Sequence, residues 1–419
     1  MTAVLAPRRE AFAALRHGDF RAYFVTGLVA MMADNVEHVI TYWLIFERFH
    51  SPALAGFAVI SHWAPFLLFG LTFGALSDRY DCRRIIQTGQ LLFILASLGW
   101  AILFLTDTLQ PWHAAILLVV HGMAGALWSP ASQLYLYDVV GPEHLQSAVR
   151  LNATSRNLGI TFGPAVGGGL LLVFGPAVGL LINCLLYLPL ILWLFRTPYT
   201  GHLHRGGPVA SASALSFGDA WRTLREARHQ PTILAMIALA GATSFLVGNA
   251  YQAQMPQFSA DIPGAQGEVG YAVLLTASAV GSVIGGIALE SAPWLQRPSL
   301  RPAIAMGIAW AASILVFALT TSYAVAVLAL FAAGFLALGF QALGQTLVQL
   351  AAPPDRRGRV VGLFSMAQNG LRVGSGVTVG VIGTAAGIHA SLAWSAVAAL
   401  AVCAALFALA RSTQTTAAA

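Results

Sequence analysis

A chain of 419 residues that is 58% hydrophobic and only 9% charged lacks the charge to coat a water-facing surface, because soluble domains carry about 25% charged residues. Lipid is the expected solvent, and no polar block is long enough for a separate soluble domain. The net charge of +6 rests on 22 basic residues, all arginine, and their placement explains them without nucleic acid.

The opening segment, MTAVLAPRREAFAALRHGDFR, is polar and basic with no apolar core, so no secretory signal is expected. Apolar runs long enough to cross about 30 Å of hydrocarbon then follow. They predict about twelve spans, at 21–46, 52–77, 85–105, 112–138, 145–173, 176–196, 231–257, 268–290, 301–320, 323–352, 357–385 and 389–411. The fold class is an all-α polytopic membrane protein. The expected domains are an N-terminal six-helix bundle (1–196), a linker (197–230) and a C-terminal six-helix bundle (231–419). The linker holds RGGPVASASALS and the amphipathic FGDAWRTLREARHQ, which suits an interfacial helix.

The connections alternate. One set carries Arg8, Arg9, Arg16, Arg79, Arg83, Arg84, Arg205, Arg222, Arg225, Arg228, Arg297, Arg301, Arg356, Arg357 and Arg359, with Arg411 after the last span. The other has almost no arginine, Arg48 excepted. The positive-inside rule places the Arg-rich set and both termini in the cytoplasm of a bacterial inner membrane protein. Cys82, Cys184 and Cys403 have no ligand or disulfide spacing.

The first span holds MMADNVEHVITYW, with Asp34, Glu37 and His38 within five residues. Asp34 lies about 20 Å along the helix, and spacings of three and four put all three residues on one face. Charge facing lipid there is costly, so the face is expected to look into a cavity. Arg156 and Arg372 reach comparable depths, about 15 and 20 Å, on the fifth and eleventh spans. Each guanidinium stays charged and needs an acid, an anionic substrate or water. Three readings remain open for Asp34, Glu37 and His38. They are proton coupling, a first-row metal site, and neutralisation of the arginines. No Cys or second His lies near them in sequence, which weakens the metal reading.

The two halves repeat. GPEHLQSAVRLNATSRNLG and PPDRRGRVVGLFSMAQNGL align at one offset, pairing Glu143 with Asp355, Leu151 with Leu363 and Asn157 with Asn369. A half-chain repeat points to a transporter with its substrate path between the halves. No nucleophile–base set or phosphate loop suggests an enzyme.

The segment GALSDRYDCRR resembles the loop motif of the major facilitator superfamily between helices two and three. Gly74, Leu76, Asp78, Arg79, Arg83 and Arg84 match it. Asp81 replaces the usual glycine, where its tolerance of left-handed backbone is expected to keep the turn. RHGDFRAYF, SPALAGFAV and the stretch from SPASQLYLYDVV to GPAVGGGLL are similar to the branch of bacterial siderophore (enterobactin-type) and macrolide exporters. The resemblance implies two six-helix bundles that rock about a cavity lined by helices one, four, seven and ten. It also implies a gate in which Gly74 permits close approach and Asp78 meets the start of helix eleven. Gly159, Gly163, Pro164 and Gly167 on helix five resemble the exporters' antiporter motif, and spaced glycines let another helix lie close.

Asn157, Asn249, Gln252, Gln341, Gln345 and Asn369 are the amide candidates for the path, with His62, Trp63, His121, Trp128 and Tyr135 as weaker ones. Drug–proton antiporters often carry Arg on helix four, where His121 stands here. The expected function is proton-driven export of a small amphipathic or anionic organic molecule, a siderophore or drug. No cofactor is expected beyond the proton gradient, and the working unit is expected to be a monomer in the bilayer. The alternatives are a divalent metal or metal-chelate transporter using Asp34, Glu37 and His38, and a non-transporting receptor or assembly factor.

Overall fold

The structure, a computed structural model, describes residues 12–203, 217–227, 230–291, 299–353 and 357–418. The glycine- and serine-rich linker, the Asp355–Arg356 turn before the eleventh span and several of the predicted arginines lie outside the described residues. Among the described residues there is no strand.

The first three spans are Gly18–Phe49, Pro52–Arg79 and Cys82–Leu105. The second starts at Ser51, whose side chain accepts from the Leu54 amide, followed by a proline suited to the first turn. A long helical stretch, Pro111–Arg196, is divided at Gly141 (φ 68°) and Gly175 (φ 73°), where only glycine turns cheaply. This yields spans four to six, at 111–140, 142–174 and 176–196. The eighth to tenth spans are Gly267–Ser291, Leu300–Leu319 and Tyr323–Ala351, and the twelfth is Ile388–Ala418. Nine described helices are long and apolar enough to cross a membrane on length and composition alone, one of them joining spans five and six. The first and eleventh spans, which carry Asp34, Glu37 and Arg372, are not among these nine. Leu91, Leu95, Leu185, Leu192 and Leu328 are exposed on the outside, as a lipid-facing surface requires.

The seventh span differs from the continuous helix expected over 231–257. It is broken into Pro231–Leu246, Ala250–Ala253 and Met255–Asp261. Gly248 takes φ 48° against Ser375, and Thr378 donates to the freed Leu246 carbonyl at 2.7 Å. Irregular backbone is tolerated at membrane depth where it lines a cavity, and Asn249 and Gln252 do line one. The eleventh span, from Arg357 to Ala386, contains two π-helical stretches, Met366–Gly370 and Gly376–Val381, with Arg372 between them. Such bulges mark functional positions in helices.

The fifth span packs tightly on the first through its glycines. A Cβ on Gly159 would stand 2.8 Å from Met31 Cβ, and one on Gly167 3.0 Å from Val39 Cβ. One on Gly163 would collide with Asn35 Cβ.

The halves meet at the Arg-poor end. Gly56 lies against Gly376 and Gly380, Gly168 against Ala272, and Trp43 stacks on Tyr271 at 5.6 Å. Tyr271 Oη donates to the Val39 carbonyl at 2.8 Å, and Gln254 Nε2 to the Pro52 carbonyl at 2.8 Å. One apolar core joins both halves through these residues, whereas a second core at the Arg-rich end contains residues 14–194 only. The halves therefore part toward the Arg-rich end, where a Cβ on Gly27, Gly70 or Gly74 would meet nothing.

Asp81 does not adopt the left-handed backbone expected of it. Its φ is −54°, and it caps the third span by accepting from the Arg83 amide at 2.9 Å. Partial burial pushes its pKa up, but hydrogen bonds from Arg83 outweigh this and hold the carboxyl below the usual range. The motif keeps its turn because aspartate caps a helix start, not because it mimics glycine.

Gly163→Ala is expected to destabilise the protein by about 1–3 kcal/mol through overpacking. Gly70→Ala, with open space around it, should cost nothing. Thermal unfolding of both variants in detergent checks this difference.

Candidate transport cavity and its polar cluster

Between the halves lies a cavity of about 1200 Å³, its open mouth included. It runs from Tyr23, Gly27 and Asn152 near the Arg-rich end to Tyr42, beyond which the Trp43–Tyr271 stack closes it. Its walls are largely aromatic and apolar, with Met31, Trp63, Phe66, Phe93 and Trp128 among them.

An acid–histidine cluster occupies one wall. His121, on the fourth span, stands between both acids of the first. Its Nδ1 lies 2.8 Å from Glu37 Oε1 and its Nε2 3.0 Å from Asp34 Oδ1. Ser97 Oγ donates to Glu37 Oε2 at 2.5 Å and accepts from Asn183 Nδ2 at 3.2 Å. His38 Nε2 and His62 Nδ1 are 3.2 Å apart, and the rings of His38 and His121 meet edge-on at 4.6 Å. One close helix crossing brings His62 to His121. Gly122 packs on the backbone of Ser61 and His62, so closely that a Cβ there would collide with the Ser61 carbonyl and lie 3.1 Å from the His62 Cα. The second half repeats this crossing with Gly334 packed on Ser278.

The structure separates the predicted trio. Asp34 and His38 line the cavity, but Glu37 does not. It is 1% exposed and turned between spans three, four and six, where Ser97 and His121 offer the donors its charge needs. One helix face does not therefore present all three to the cavity.

Arg156 and Arg372 both line the cavity, from the fifth and eleventh spans. Arg372 lies 4.8 Å over the Trp63 ring, and Trp63 Nε1 donates to Asn249 Oδ1 at 3.3 Å. Among the described residues neither guanidinium forms an ion pair with an acid, because both acids of the first span turn to His121. Pro164 lines the cavity as well, while Gly159, Gly163 and Gly167 face the first span.

Asn249 and Gln252 line the cavity, but Asn157, Gln341, Gln345 and Asn369 do not. Asn157 and Gln345 are exposed, and Gln341 accepts from Gln368 Nε2 at 3.2 Å beside a separate small pocket. Asn369 sits half-buried within the first π-helical stretch.

At the expected gate, Gly74 approaches nothing, and Asp78 and Arg79 are exposed. The start of helix eleven lies outside the described residues. Arg83 grips Asp81 and donates to the Thr197 carbonyl at 2.5 Å, while Arg84 donates to Gln87 at 3.0 Å. These two arginines are thus tied to their own half.

His62 and His121 join the cluster from residues 24 and 83–87 positions away along the chain, which no local spacing shows. Ser97 and Asn183 were not candidates at all. The available signal was pairing with small residues, Ser61 before His62 and Gly122 after His121.

The sequence profile of the Major Facilitator Superfamily matches residues 22–375. The chain belongs to that superfamily. It is accordingly a multi-pass membrane transport protein and not an enzyme. It is 25% identical over 374 residues to the uncharacterised MFS-type transporter YfiS of Bacillus subtilis, covering 81% of this chain and 83% of that one. It is 21% identical over 166 residues to the staphyloferrin A transporter of Staphylococcus aureus, covering 39% and 42% of the two chains. Among solved structures it resembles a bacterial homologue of the human lysosomal transporter Spinster, in an inward-facing and unoccupied conformation. That match has a TM-score of 0.71 at 16% identity, covering 94% of this chain and 96% of the other. The nucleoside transporter NupG matches with a TM-score of 0.73 at 14% identity over 93% and 98% of the chains. These likenesses show the facilitator fold.

Replacing His121 by Ala leaves both carboxylates of this facilitator's first span buried without their partner. The expected cost is about 3–5 kcal/mol, seen as a lowered unfolding temperature in detergent. His121→Asn, which keeps one donor for Glu37, should recover part of it.

Proposed function

We propose that this facilitator is a secondary active transporter that exports a small anionic, amphipathic organic molecule, a siderophore or drug, in exchange for protons. The observation that carries the reading is the pair of guanidiniums, Arg156 and Arg372, on facing halves of one cavity, neither in an ion pair with an acid among the described residues. Two guanidiniums at membrane depth that form no ion pair among the described residues suit an anion from outside the protein. The aromatic walls suit a cargo with an apolar body, and Arg372 stacked on Trp63 presents a flat cation to a carboxylate. The named cargo of the staphylococcal relative, staphyloferrin A, supports the siderophore class.

The open end is the Arg-rich end, which the positive-inside rule assigns to the cytoplasm together with both termini. The protein then faces inward in the bacterial inner membrane and works as a monomer, loading cargo from the cytoplasm before the halves rock. His121 between two carboxylates supplies the group that exchanges protons, beside the cargo site but on the other wall.

Arg156→Gln and Arg372→Gln should each weaken binding of an anionic cargo about 10- to 100-fold, the scale of one lost charge-assisted hydrogen bond. Neutral apolar analogues should bind as before. Thermal stabilisation of purified protein against anionic siderophores, carboxylate drugs and their esters reads this. Equal losses for charged and neutral compounds would contradict the reading. In proteoliposomes with an imposed pH gradient, Asp34→Asn should stop uphill export and leave downhill exchange measurable. Uphill export by that variant would remove the coupling role.

A further inference from the structure

Asp34, His38, His62 and His121 each place one ligand atom within 4.8 Å of all the others. Three imidazoles and one carboxylate are the donor set of zinc, iron(II), manganese and cobalt sites. Ligand atoms bound about 2.0–2.2 Å from one ion stand roughly 3–4 Å apart, so small side-chain rotations close the set around an ion.

A second observation is independent of that proximity. His121 Nδ1 is within hydrogen-bond reach of Glu37, itself held by Ser97. In the tautomer that donates to Glu37, Nε2 keeps its lone pair. That lone pair faces Asp34 Oδ1 at 3.0 Å, yet neither atom has a hydrogen-bond partner, and both are buried. Two lone pairs at this distance repel, so the pair takes up a cation there, either a proton on Nε2, which makes His121 an ion-pair partner of both acids, or a metal ion in that proton's place. A carboxylate behind an imidazole whose other nitrogen points forward is also how metal-bound histidines are oriented.

The fold does not require histidine here. The same helix crossing in the second half, Gly334 on Ser278, has Ala333 and Ala279 where the first half has His121 and His62. The crossing closes with methyl groups, so the imidazoles serve something other than packing.

We propose that Asp34, His38, His62 and His121 form a binding site for a divalent first-row transition-metal ion, and that the anionic cargo travels as a complex of that ion. This second part rests on reading the cavity as the cargo site. A dication on one wall and two guanidiniums lining the same cavity suit an anionic chelating ligand between them.

The probes are Co²⁺, followed by its visible absorption, and Zn²⁺ as competitor, with the purified full-length protein freed of metal by chelator. One Co²⁺ per chain should bind saturably and be displaced by Zn²⁺. His62→Ala and His38→Ala should weaken Co²⁺ at least tenfold, while His17→Ala, altering a separate histidine pair 3.1 Å from His144, should not. Zn²⁺ should raise the unfolding temperature of the wild type but not of folded His62→Ala protein. Absence of saturable Co²⁺ binding by folded wild type overturns the site, as does unchanged affinity in His62→Ala. If Co²⁺ fails while Arg372→Gln still loses anionic compounds selectively, the metal site falls and the anionic cargo stands. If Co²⁺ binds as expected but the arginine variants bind anions normally, the metal site stands and the cargo assignment falls.

Discussion

A carboxylate held at membrane depth needs a cation or several donors within reach, and the first span carries two carboxylates one turn apart. Most of the site follows from how that need is met. His121 answers both acids at once, with 2.8 and 3.0 Å contacts, and Ser97 and Asn183 complete the shell around Glu37. This requires the first, third, fourth and sixth spans to converge. The glycines that let helices lie almost backbone to backbone, Gly122 on the second span and Gly159, Gly163 and Gly167 on the first, hold the neighbouring helices in place. Because both acids turn to His121, neither forms an ion pair with Arg156 or Arg372 among the described residues, and both guanidiniums line the cavity.

The second consequence is an asymmetry along the membrane normal. At the Arg-poor end the halves share one apolar core and touch through glycines and Ala272. At the Arg-rich end the first half keeps a core of its own. Contacts made between small residues break without leaving large cavities, which suits a seam that opens and closes. Protons and a metal ion would occupy the same lone pairs of the cluster, so each excludes the other, and that exclusion is the simplest form of exchange.

Much of the fold was legible because lipid imposes a strict pattern: run length, arginine placement and glycine spacing each have one physical cause. The seventh span was not, since a helix broken to expose Asn249 is as apolar as an unbroken one. At the site, Asp34 and the two arginines stood out as charges in apolar runs. The side to which Glu37 turns was not legible, because it depends on Ser97 and Asn183, from other spans. His62 and His121 looked like isolated imidazoles until the crossing at Gly122 joined them. Asp81 kept the loop by capping, a role its position next to Cys82 and Arg83 allowed but did not single out.

On the proposed export reading, the halves must separate at the Arg-poor end for cargo to leave. A Cβ on Gly168 would lie 3.0 Å from Ala272 Cβ, about half an ångström short of the roughly 3.5–4.5 Å that a disulfide spans, so a small parting of the two helices admits the bond. Transport by the Gly168→Cys, Ala272→Cys double variant in proteoliposomes, oxidised and then reduced, is the most direct measurement. The account predicts no transport when oxidised, undiminished binding from the Arg-rich side, and recovery on reduction. Wild-type transport by the fully cross-linked protein would contradict it.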